Sequence, residues 1–68
     1  MVITEEKKQG YIEDVKTELR RRGLTTDEIP RVIGKTGFME AMEQSPEIQF
    51  HYDVRDAVDE ILVTAARN

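Results

Sequence analysis

The absence of cysteine from a chain of only 68 residues restricts this sequence more than any other feature. A fold of this size hides only about 60% of the surface its unfolded chain exposes. Its hydrophobic gain then comes close to the entropy cost of ordering the chain. Disulfides, a structural metal or a partner subunit usually make up the difference. Without cysteine, disulfides and thiolate zinc sites are excluded. Association remains, so a homodimer is the default expectation. Leu, Ile, Val and Phe still supply 17 of the 68 residues, enough to condense a core, and the chain does not read as disordered.

With Met1 at its head and no linker or repeat to divide it, the chain is expected to be one complete domain over residues 1–68. The first helix is expected from Thr4 or Glu5 to Arg22. Thr4 can cap it, Glu5 and Glu6 suit its positive end, and Arg20, Arg21 and Arg22 suit its negative end. Tyr11, Ile12, Val15 and Leu19 fall at the spacing of a buried stripe. Gly10 weakens the middle, so fraying of the first turns is expected. Gly23 then provides a left-handed stop, with Leu24 folding back on the last turn.

A second helix is expected at about Asp27–Gly34. Thr25, Thr26 or Asp27 can cap it, Ile29, Val32 and Ile33 form its apolar face, and Pro30 is tolerated within its first turn. A third begins near Thr36, buries Phe38, Met39 and Met42, and ends before Pro46. Residues 46–52 fit either one further helical turn or a short strand, because Ile48-Gln49-Phe50-His51-Tyr52 also alternates. The last helix is capped by Asp53, with Val54, Ala57, Val58, Ile61, Leu62 and Ala65 along one face and Asp56, Asp59 and Glu60 opposite. The fold class is therefore all-α: a small irregular bundle of about four helices around one core.

Chemistry-bearing patterns are sparse. His51 is the only histidine, and one imidazole without cysteine makes a poor transition-metal site. Asp56, Asp59 and Glu60 share a helix surface, but acid–base work or cation binding also needs a concave pocket, which a chain this short is not expected to form. Gly34-Lys35-Thr36 matches the tail of a phosphate-binding loop, yet the upstream glycine is missing and no buried strand precedes it. No catalytic, metal or cofactor site is assigned. Arg20-Arg21-Arg22 is the one basic cluster, and at about 100° per residue its guanidinium groups are expected to fan around the helix axis.

Two local resemblances bear on function. Leu24–Met42, with Glu28-Ile29 and Ile33-Gly34 followed by Thr36, resembles a helix-turn-helix of the bacterial repressor type, which would imply DNA reading by Gly37–Gln44. The sequence departs from that pattern at Pro30, where a small alanine is usual, and at Glu40, where an aliphatic is usual. The reading helix also carries no Arg or Lys. Gly23-Leu24 together with Asp53–Leu62 resembles the ubiquitin-associated three-helix modules, although residues 25–52 would then hold a whole inserted helix.

The net charge of −4 weighs against nucleic acid and anionic membranes as partners. Basic residues are partly segregated: residues 4–22 carry six against five acidic ones, while 45–68 carry two against five. No apolar run approaches a membrane span, and cytoplasmic residence is expected. The expected function is non-enzymatic: a small helical interaction or adaptor module that self-associates and binds another protein, with Phe38, Met39, Met42 and Val63 as candidate partner-binding residues. The alternative is a small DNA-associated regulator with a degenerate helix-turn-helix, contacting phosphates through Arg20, Arg21, Arg22, Arg31 and Lys35.

Overall fold

The computed structural model describes residues 4–67; the remaining ends of the single domain expected over 1–68 lie outside the described residues. Helix α1 spans Glu5–Arg21, α2 Glu28–Thr36, α3 Phe38–Gln44, α4 Pro46–Phe50 and α5 Val54–Arg67, with no strand among the described residues. The all-α class holds. Among the described residues there are five helices instead of about four, because residues 46–50 take the helical option over the strand.

Each helix end has a local cause. The Lys7 backbone N–H donates to the Thr4 side chain at 3.2 Å, so the cap expected of Thr4 forms. The first turns ahead of Gly10 are helical, and α1 runs through Gly10 without a break from Glu5. At the other end Gly23 adopts φ +104°, with Gly23 N–H donating to the Arg20 carbonyl and Leu24 N–H to that of Leu19. That pair of bonds is a Schellman stop, and it turns the chain back towards the core.

Helix α2 opens on a reciprocal capping box. Glu28 N–H donates to the Thr25 hydroxyl at 3.2 Å and Thr25 N–H to the Glu28 carboxylate at 2.8 Å, so Thr25 is the cap among the three candidates. Pro30 sits in the first turn as expected. The helix ends at Thr36, not at Gly34: Gly37 takes the left-handed geometry, φ +71°, and it alone joins α2 to α3. Two glycines three residues apart both permit a stop. Ile33 before the stop and Phe38 after it both belong to the core.

The core comprises Tyr11, Ile12, Val15 and Leu19 of α1, Ile29 and Ile33 of α2, Phe38 and Met42 of α3, and Ala57, Val58 and Ile61 of α5. Helix α5 packs against both α1 and α2, while α3 packs against α4. Tyr11 is buried, as its place on the stripe implies. Its ring stacks on Phe50 at 4.9 Å and on Phe38 at 6.5 Å between centroids. Leu62, expected in the core, is only partly covered and packs at its edge. The radius of gyration of 11.4 Å is close to the roughly 11 Å expected of a packed domain this long.

Candidate functional site

A half-open cleft of about 290 Å³ lies where the α2–α3 junction, α4 and α5 meet. Its apolar surface comes from Phe38, Ala41, Ala57 and Ile61. Thr36, Gln49, Tyr52, Glu60 and Thr64 supply polar groups. The positions follow from local structure. Ala57, Glu60, Ile61 and Thr64 share one side of α5 through i, i+3 and i+4 spacing, and the small side chain at 57 leaves space. The Tyr52 backbone N–H donates to the Gln49 carbonyl at 3.0 Å, while the buried Tyr11 hydroxyl donates to the Tyr52 carbonyl at 2.9 Å. Core packing of Tyr11 thereby fixes the segment that carries Tyr52 on the cleft wall. Burial, together with the nearby Asp53 and Asp56 carboxylates, pushes the Tyr11 phenol above its ordinary pKa and keeps it a donor.

The cleft is shallow and open to solvent, so it is not the desolvated pocket that acid–base or cation chemistry needs; exposed Glu60 is the one member of the Asp56–Asp59–Glu60 set among its lining residues. Volume limits its use. At about 290 Å³ it lies at the bottom of the range of roughly 300–1,000 Å³ typical of small-molecule sites, enough for one or two side chains. No grouping of three or more His, Asp or Glu with metal-binding geometry occurs among the described residues. No buried side-chain polar atom there lacks a partner, so nothing inside the fold points to a missing ion.

The other candidate residues separate by burial. Phe38 and Met42 are core residues, whereas Met39 and Val63 are exposed, Val63 at 47%. Ile48 at 57% and Tyr52 at 46% are exposed as well, and Ile48 precedes Tyr52 by one helical turn. Sequence reasoning missed both, because it left residues 46–52 without a geometry.

The arginines do not fan out independently. Arg21 and Arg22 both donate to Glu18, at 2.9 Å each, and Arg22 reaches Asp59 of α5 at 2.8 Å. The Glu18 side chain is only 11% exposed, and its hydrogen bonds from Arg21 and Arg22 hold its carboxyl at about 2, well below the usual 4.5. Two of the three cluster cations therefore brace α1 and its junction with α5. Arg20, Arg31 and Lys35 are exposed. Helix α3 presents Glu40 and Glu43 to solvent and follows α2 after a single residue, where a helix-turn-helix has a turn of three or four.

One charged residue was missed altogether. Lys8 is buried apart from its tip, its side chain 9% exposed, with Nζ 2.8 Å from Glu5 and 3.4 Å from Glu43 of α3. Its spacing to Ile12, Val15 and Leu19 places it on the buried stripe, so its stem covers core while its ammonium reaches the rim. Comparison with known proteins gives no match: no family model, no curated protein and no solved structure aligns significantly with this chain.

Proposed function

We propose that this chain is a non-enzymatic helical interaction module that binds a segment of another protein in the α3–α4–α5 cleft, with a second, separate contact between copies of itself. The observation that supports the binding reading is the cleft with Tyr52 on its wall and exposed Ile48 one turn away. An aromatic with a polar tip beside a small apolar recess is the usual composition of a binding anchor. Phe38 and Met42 support the cleft from within the core, and Met39 and Val63 stand outside it.

Self-association rests on exposed Val63 and Met39. The accessible surface of 4733 Å² is close to the roughly 4,400 Å² expected of a folded monomer of this mass, as for a chain compact on its own. A dimer would then be a reversible addition, to be read by sedimentation equilibrium at micromolar protein. Cytoplasmic residence belongs to the same proposal. No helix among the described residues is long and apolar enough to cross a membrane.

The test is selection of binding peptides from a displayed random library on the wild-type protein, followed by measurement on Thr64→Phe, which fills the cleft from a half-buried position. Selected peptides should lose binding to Thr64→Phe while its melting temperature stays near that of the wild type. Peptides that bind both proteins equally would remove the cleft from the proposal.

A further inference from the structure

We infer that the cleft recognises an arginine side chain presented by the partner segment, with Glu60 as its counter-ion and Tyr52 as the surface its guanidinium stacks on. This rests on the interaction-module reading and narrows it. Among the lining residues Glu60 is the only charged one, so the cleft is an anionic recess with an apolar floor. Its volume suits a single long side chain. The stem of an arginine lies against apolar surface, while its planar end donates two parallel hydrogen bonds to a carboxylate and stacks on an aromatic face. Gln49, Thr36 and Thr64 add neutral oxygen acceptors at the same recess. Lysine, a compact and strongly hydrated charge, can use the carboxylate but not the stacking surface to the same extent.

Charge distribution points the same way. Residues 36–67, which with Thr36 as the first build the whole cleft, carry seven carboxylates against two arginines, whereas residues 4–35 carry seven carboxylates against eight cations. Two of the seven in residues 36–67, Glu43 and Asp59, are taken up by Lys8 and Arg22 of α1, and the remaining excess of carboxylates around Glu60 in the chain favours the approach of a cationic segment. An acidic partner segment would be repelled there, and a neutral one would gain nothing from the field.

The probe is N-acetyl-arginine N-methylamide, titrated into isotopically labelled protein and followed by amide chemical shifts, beside the matching lysine and citrulline derivatives. Citrulline keeps the shape of arginine without its charge. Saturable shifts confined to the amides of residues 36–41, 49–52 and 57–64 are expected with arginine. Citrulline and Glu60→Gln should each weaken them by at least about tenfold, the loss of one charge-assisted hydrogen bond. Tyr52→Leu should reduce the preference for arginine over lysine. Equal binding of citrulline, or no change in Glu60→Gln, overturns the assignment. So does loss of self-association in Thr64→Phe, which would place a second copy in the cleft. If library peptides occupy the cleft without arginine, this inference falls and the module reading stands; if no peptide distinguishes wild type from Thr64→Phe, the module reading itself falls.

Discussion

Glu18 shows how one side chain can carry a pH dependence for the fold. Its carboxyl sits at about 2 when folded, against 4.5 ordinarily, because Arg21 and Arg22 donate to it. A depressed carboxyl contributes stability that is fully present above its unfolded pKa and is lost as pH falls towards the folded one. The melting temperature of Glu18→Gln should therefore lie below that of the wild type at pH 7, and the gap should close between about pH 4.5 and 2. A gap independent of pH, followed by circular dichroism, would mean that the ion pairs do not contribute. The glycines give a second pair of expectations. A Cβ at Gly10 meets nothing within 4 Å and the helix there is regular, so Gly10→Ala should stabilise by about 0.4–1 kcal/mol. Gly23, at φ +104°, is in a region that side chains disfavour, so Gly23→Ala should lower the melting temperature even though the space is open. Equal shifts in both variants would contradict this account.

Helix existence was readable from spacing and caps, because those signals are local. Thr4, Gly23-Leu24 and Asp53 all act as their chemistry implies; the Asp53 carboxylate accepts from Arg55 N–H at 3.2 Å. The choice of Gly37 over Gly34 as the stop was not readable, since both permit the geometry and the decision comes from burying Phe38 against Tyr11. Residues 46–50 were ambiguous for a related reason: five residues are too few for periodicity to separate a turn from a strand, and Phe50 stacking on Tyr11 settles it. Along α5 the apolar face reads correctly in outline, but Leu62 lies at its margin. Ile61→Ala should cost about 2–5 kcal/mol and threaten the fold. Leu62→Ala should cost clearly less, by chemical denaturation. Equal costs would mean that Leu62 is as enclosed as its neighbour.

At the scale of the molecule, the cleft is a product of tertiary packing and had no sequence signal. Ala57, Glu60 and Thr64 are an ordinary helical repeat until the α2–α3 junction and α4 are set against them. Catalytic, metal and cofactor patterns need particular residues and so leave marks in a sequence, whereas a recess for a partner needs only a shape. The same packing settles how the arginines are used. With Arg21 and Arg22 held by Glu18 and Asp59, the candidate phosphate contacts left outward are Arg20, Arg31 and Lys35, on a body of net charge −4. Duplex DNA should therefore bind no more tightly than the non-specific range of about 10⁻⁴–10⁻⁶ M at physiological salt. The central claim is that recognition takes place in the α3–α4–α5 cleft, and the most direct measurement is the amide chemical-shift footprint of a library-selected peptide on the labelled protein. The account predicts perturbations centred on residues 36–41, 49–52 and 57–64. A footprint centred instead on the residues around Arg20, Arg31 or Lys35 would contradict it.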